Sequence, residues 1–246
     1  MNSGMYSALS GNLAAMNRLD VISNNLANVN TPGFKKDKMS FEGLLAGSVN
    51  PPAVPQGMTA DPVLQKGNIY TDYSAGPTSQ SENPLDLALD GDGFFAVTTP
   101  EGVAYTRQGN FRSSVDGTLV TVDGYPVQGV GGAAIRIQGS RIEIDSVGGV
   151  TVDGTPAGAI SVVDFEKPYA LTKIGNSLFV PVDPQAVPPL AGNARIRQGH
   201  IEGSNVESVS EMVQLIETNR YFEACSKVIK GFEDMSIRAA TDLGRV

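Results

Sequence analysis

"NNLANVNTPGFKK", Asn24 to Lys36, divides two kinds of chain. Before it, apolar residues recur at helical spacing. After it they do not. Pro32 disfavours helical backbone at Thr31, and Gly33 admits a positive φ, so Thr31-Pro32-Gly33 closes a helix. Asn24, Asn25, Asn28 and Asn30 are indifferent helix formers whose short amides serve backbone groups where a helix frays. The stretch reads as an elbow, and what lies on either side of it decides the fold.

On the N-terminal side, Met5, Ala8, Asn12, Ala15, Leu19, Ile22, Leu26 and Val29 alternate steps of three and four residues. That is the spacing of a seam against another helix. Leu9, Leu13 and Met16 widen it. The pattern predicts a helix over about residues 3–28. The far end carries a counterpart, "SNVESVSEMVQLIETNRYFEACSKVIKGFEDMSIRAATDLGRV", which contains no proline. Val206, Val209, Val213 and Ile216 set one phase, and Tyr221, Cys225, Val228, Phe232, Met235 and Ala239 set another. A register slip near residues 218–220 would join them. Ser208 and Glu211 fit a capping box at the helix start.

The middle is different in kind. "DLALDGDGFFAVTT", "GVAYTRQGNFRSSVDGTLVTVDGYPVQG", "IRIQGSRIEIDSVGGVTVDG" and "AISVVDF" are short apolar runs between turns. Asp116-Gly117, Asp123-Gly124 and Asp153-Gly154 are hairpin signals. The chain has 246 residues with 28 Gly and 15 Pro, a mix that suits short strands and many turns. Four regions follow: an N-terminal helix over 1–34, an extended connector rich in Pro and Gly over 35–84, a central β domain over 85–201 and a C-terminal helix over 202–246. The expected fold class is α+β. The terminal helices pair as a coiled-coil-like stalk, and the central domain is all-β.

Little in the chain points to chemistry. The net charge is −8, and the small "KKDK" run is no basic surface, so nucleic acid is not an expected partner. One cysteine and one histidine give no disulfide framework and no His-based metal site. "DGDGFF", Asp90 to Phe95, lacks the further acidic positions of a calcium loop and reads as a turn before a strand. His200 has no assignable carboxylate or nucleophile partner. Cys225 falls on the apolar seam, where a small buried hydrophobe is expected. "GVGG", Gly129 to Gly132, lacks a strand–helix context for phosphate. No cofactor, metal, small-molecule ligand or catalytic residue is expected. The N-terminus has neither the basic region nor the apolar run of a secretory leader.

Helices with wide apolar stripes must bury them. One intramolecular partner each leaves apolar surface in water. An interface between copies that does not close on itself builds a filament or tube. The residues expected in such contacts are Met5, Leu9, Leu19, Ile22, Leu26, Val29, Val213, Ile216, Tyr221, Val228, Phe232 and Met235. The elbow is expected to rest on Asn25, Asn28, Pro32, Gly33 and Phe34. A β-rich enzyme with helical arms and a binding module on a closed helical stalk are the competing readings.

Three stretches carry a resemblance. "LDVISNNLANVNTPGFKKDKMSFEGLL", "LDLALDGDGFFAV" with "AYTRQGNFRSSVDGTLVTVDGYPVQG", and "RQGHIEGSNVESVSEMVQLIETNRYFEACSKVIKGFEDM" resemble, in this order, the bacterial flagellar rod and hook protein family. The resemblance spans nearly the whole chain. It implies a structural subunit whose terminal helices form an inner tube domain, with the β domain outside. It implies assembly with itself and with neighbouring rod proteins of the FlgB, FlgC and FlgG kinds. It also implies passage through the flagellar type III export apparatus and a place in the periplasmic rod of the basal body. "VVDFEKPYALTKIGNSLFVP" and the short connector favour the proximal-rod type over the distal-rod type. In this reading the elbow turns the chain outward from the inner helix, and Phe34 anchors it against the stalk.

Overall fold

The structure, a computed structural model, describes residues 2–40, 68–183 and 189–243. The "GSVNPPAVPQGM" core of the expected connector lies outside the described residues. The chain forms two compact units. The first comprises Met1–Asn28, Lys36–Asp72 and Val206–Val246; the second comprises Val29–Lys35 and Tyr73–Asn205.

In the first unit, α1 (Asn2–Ala27) and α2 (Ser208–Leu243) pack antiparallel. Gly4 lies against Phe232, Gly11 against Tyr221 and Cys225, and Asn25 reaches Glu211. Their facing rows differ from the apolar reading in an informative way. On α1 the inward positions are Gly4, Ala8, Gly11, Ala15, Arg18, Ile22 and Asn25. Ala8, Ala15, Ile22 and Asn25 are buried, and Arg18 meets Gln214. Glycine and alanine face α2 because they let the helices approach closely. A Cβ on Gly11 would stand 2.7 Å from the Tyr221 hydroxyl and 3.1 Å from Cys225 Sγ.

On α2, burial recurs at Glu211, Leu215, Thr218, Phe222, Cys225, Ile229 and Phe232, an unbroken alternation of four and three. The helix carries no register slip. The apparent slip arises because Glu211 and Thr218 occupy inward positions that a hydrophobic count passes over. Thr218 Oγ1 satisfies itself by donating to the Gln214 carbonyl at 2.7 Å. The capping box is not formed either. The first helical bond runs from Glu211 N–H to the Glu207 carbonyl, and the Glu211 side chain turns to Asn25.

Part of the expected connector is sheet. β1 (Asp37–Ser40) pairs antiparallel with β2 (Asn68–Thr71), with Asp37 opposite Thr71 and Ser40 opposite Asn68. Lys38 Nζ closes on Asp72 at 2.7 Å. That hydrogen bond, with the nearby negative charge, holds the ammonium above its usual pKa despite some desolvation.

The second unit is built of strands. β4 is Leu87–Asp90, β5 Phe94–Thr99, β6 Gly102–Thr106, β12 Val162–Asp164, β13 Leu171–Gly175, β14 Leu178–Pro181 and β15 Leu190–Ala191. Apart from β4, these form a six-stranded sheet in the order β13-β14-β6-β5-β12-β15. Side chains alternate across a strand, and here both faces are buried. Phe95, Val97, Ala104 and Leu178 join the larger core with Phe111, Leu119, Val127 and Ile160. Phe94, Ala96, Tyr105 and Phe179 face a second, aromatic cluster with Phe165, Tyr73 and Tyr169. Burial raises the Tyr105 phenol above its ordinary pKa. This two-sided burial explains why "GFFAV" reads as a continuous apolar run. At Asp153-Gly154, φ values of 49° and 82° make the hairpin between β10 (Gly149–Val152) and β11 (Thr155–Ala159).

Candidate assembly surface and elbow

Asn25 is buried in the first unit and makes three side-chain contacts. Its amide makes two bonds to the backbone of Asp37: Nδ2 donates to the carbonyl at 2.9 Å, and Oδ1 accepts the N–H at 2.9 Å. Nδ2 also lies 3.4 Å from Glu211 Oε2. One buried side chain thus ties the start of β1 to both helices. Asn25→Ala removes all three contacts, and each part-buried hydrogen bond lost costs about 0.5–1.5 kcal/mol. The helix pair of the variant is expected to unfold at lower denaturant, with a midpoint measured by circular dichroism at 222 nm. A midpoint equal to that of the parent chain would contradict the clamp.

The outward faces of the helices remain apolar. Met5, Leu9, Leu13 and Met16 stand on the side of α1 away from the inward row, between 40% and 50% exposed. Val209, Val213 and Ile216 stand on the side of α2 away from its own inward row, and Tyr221, Val228 and Met235 run along its flank. Tyr221, Val228 and Met235 are each about half exposed, and the Tyr221 hydroxyl reaches across to Gly11 of α1. Ile22, by contrast, is buried between the helices, Phe232 packs on Gly4, and Leu19 and Leu26 are half-buried. Val29 belongs to the second unit and is half-buried there. The pair therefore presents apolar rows on both outer sides.

In the second unit the elbow is a single tight turn. Phe34 N–H donates to the Thr31 carbonyl at 3.3 Å, with Pro32 and Gly33 between and Gly33 at φ 65°. Pro then Gly with positive φ is the pattern of a type II turn. Gly33 N–H donates to the Glu202 carbonyl at 2.8 Å. Asn28 caps the end of α1 in the first unit, its Nδ2 donating to the Asn24 carbonyl at 2.9 Å. Phe34 is buried in the second unit under Lys173, whose Nζ lies 4.5 Å from the ring centroid. The ring packs within the second unit under that cation.

Behind the turn sits a cluster that the apolar and motif patterns do not announce. Lys35 Nζ contacts Glu202 Oε1 at 2.5 Å, and Arg107 Nη1 contacts Glu202 Oε2 at 3.2 Å. All three side chains are at most 4% exposed. Lys35 Nζ also donates to the Ser74 carbonyl at 2.7 Å, and Gly76 N–H donates to Glu202 Oε1 at 3.0 Å. Arg107 Nη2 donates to the Gly91 carbonyl at 2.7 Å, and the guanidinium lies 5.5 Å from the Phe94 ring centroid. Each charged residue comes from a different one of the three stretches singled out in the sequence: "NTPGFKK", "YTRQGNF" and "RQGHIEGSN". Three charged residues inside otherwise turn-rich segments were the available signal.

The candidate chemistry resolves into ordinary contacts. Asp92 pairs with Lys167 Nζ at 2.5 Å, and Asp90 lies 3.4 Å from Arg197 Nε. His200 Nδ1 lies 2.9 Å from the Gln198 carbonyl. Cys225 faces α1 beside Tyr221, whose phenol is raised first by its hydrogen bond to the thiol and then by burial. Among the described residues, no group of three His, Cys, Asp or Glu side chains is placed to hold a metal. No described helix is long and apolar enough to cross a membrane.

Comparison with known proteins gives one consistent result. Residues 5–35 match the flagella basal body rod protein family, residues 88–152 the flagellar hook protein FlgE/F/G D1 domain, and residues 197–241 the flagellar basal body rod FlgEFG protein C-terminal region. The chain is 35% identical to the flagellar basal-body rod protein FlgG of Bacillus subtilis, over 92% of its own length and 93% of that protein. It is 31% identical to FlgF of Mesorhizobium japonicum over 99% of both chains. With FlgF of Caulobacter vibrioides it shares 30% identity over 100% of both.

Proposed function

We propose, from the premise that the chain belongs to the flagellar basal-body rod proteins of the FlgF and FlgG type, that it is a proximal-rod subunit of the FlgF kind. In this role it polymerises through its terminal helices. The family is structural and not an enzyme family, and its members are part of the flagellum. End-to-end coverage of FlgF relatives supports the FlgF assignment. The higher identity to FlgG over a slightly shorter span keeps the distal-rod type as the second reading. The partners in this reading are further copies of the chain, neighbouring rod proteins of the other kinds, and the flagellar type III export apparatus. The place of action is the periplasmic rod. The terminal helices act there as a coiled-coil-like stalk.

The observation that carries the polymerising role is the pair of outward apolar rows, Met5, Leu9, Leu13 and Met16 on α1 and Val209, Val213 and Ile216 on α2. A pair of helices that is apolar on both outer sides has a place for a neighbour on each. Such an interface extends instead of closing. Sedimentation velocity of the purified chain over a wide concentration range tests this. Open assembly gives a weight-average sedimentation coefficient that keeps rising with concentration. A plateau at a discrete dimer or trimer would replace the rod subunit with a closed, stalked module.

A further inference from the structure

We propose that Lys35 and Glu202 form an ionic joint that fixes the ends of the chain where it leaves the second unit, and that they act as positioning residues for assembly. The inference rests on the assembly reading above. The chain passes between the units four times, after Asn28, Lys35, Asp72 and Asn205. On the side of the second unit, the cluster touches the segments at these passages. Lys35 is itself the last residue of one. Its ammonium bonds the Ser74 carbonyl, two residues beyond the next. The Glu202 carboxylate accepts from Gly76 N–H, and its carbonyl accepts from Gly33 N–H. Asn205, the last residue before the final passage, donates its N–H to the Phe34 carbonyl at 3.3 Å and its Nδ2 to the Ser74 carbonyl at 3.2 Å. Lys173 Nζ donates to the Lys35 carbonyl at 2.5 Å.

The charge count separates this joint from the core. Two buried cations share one carboxylate. Removing Lys35 leaves Glu202 and Arg107 as a neutral pair, still held by Gly76 N–H and the Gly91 carbonyl. Removing the charge of Glu202 takes the shared carboxylate away from two buried cations, which is strongly unfavourable. Neither Lys35 nor Glu202 lies on a strand of the six-stranded sheet. Loss of Lys35 therefore loosens the passages while the sheet stays packed.

The test uses the full chain with Lys35→Met and Glu202→Gln. Two readouts are hydrogen exchange by segment and melting of the second unit followed by tyrosine near-ultraviolet dichroism. For Lys35→Met, exchange in residues 29–35, 73–76 and 202–205 is expected to speed up about tenfold or more, while the six-stranded sheet keeps its protection. The melting midpoint should stay within about 2 °C of the parent. Glu202→Gln should melt below Lys35→Met. In sedimentation, Lys35→Met should need about tenfold higher concentration to associate. Unchanged exchange at the three segments would overturn the joint, as would faster exchange throughout the sheet or the reverse order of melting. Loosened segments with parental self-association would overturn the positioning role. The exchange and melting readouts do not depend on assembly. A chain that never associates would count against the rod reading and leave the joint to be decided on exchange alone.

Discussion

Leu13→Asp combined with Ile216→Asp is expected to abolish self-association while leaving the single chain folded. Both side chains stand on outward rows, 42% and 51% exposed. A carboxylate at either place remains in water in the isolated chain. The inward rows of α1 and α2 are untouched, so the thermal midpoint of the helix pair should move little. In the assembly both positions would be covered. Burying a large apolar side chain contributes about 1.5–3 kcal/mol, and an unpaired buried carboxylate adds a further penalty. With two sites per copy, the association constant is expected to fall by roughly 100-fold or more. Ser113→Asp, at an exposed position of the second unit, serves as the charge control. Sedimentation of the three chains at equal concentration decides the matter. A double variant that assembles like the control would remove the outward rows from the interface.

Gly33→Ala is expected to cost about 2–6 kcal/mol, the sum of backbone strain at positive φ and overpacking. Its φ of 65° is open to glycine at no steric cost. A Cβ there would also stand 2.4 Å from Gln108 N and 2.6 Å from the Arg107 carbonyl oxygen. Both are backbone atoms and cannot rotate away. Gly102 offers the comparison within the same unit. It has φ of 131°, but nothing lies within 4 Å of a Cβ built on it, so Gly102→Ala carries only the conformational cost. Denaturant unfolding of both variants separates the two effects. Equal losses would mean that the elbow is not pressed against the Arg107–Gln108 backbone.

Local signals were sufficient for much of the architecture. Thr31-Pro32-Gly33 marks the turn that follows α1 because Pro32 restricts Thr31 and Gly33 itself admits a positive φ. The Asp-Gly pairs mark turns for the same reason. The alternation at "GFFAV" hides which face is buried, because the strand lies at the centre of a sheet covered on both sides. The seam of the helix pair was read only in part. Ala8, Ala15 and Ile22 fall on it in both accounts. Counting apolar residues selects Met5 over Gly4 and Leu19 over Arg18. Contact selects the reverse: Gly4 leaves room for Phe232, and Arg18 reaches across to Gln214.

The charged residues show the limit most clearly. Lys35, Arg107 and Glu202 lie far apart in sequence, in segments that read as turns, and no periodicity links them. Asn25 and Glu211 are separated in the same way. The sequence by itself determined the elements: helical ends, a strand-built middle and the elbow between them, because dihedral restriction and side-chain period act over a few residues. It also carried the family, through long stretches whose order survives without any structure. Only the tertiary structure decided which face of each helix turns inward, which polar groups are buried and which residues hold the elbow. Those outcomes depend on distance between segments remote in the chain. A buried charge is stable only where its partner has already been brought to it.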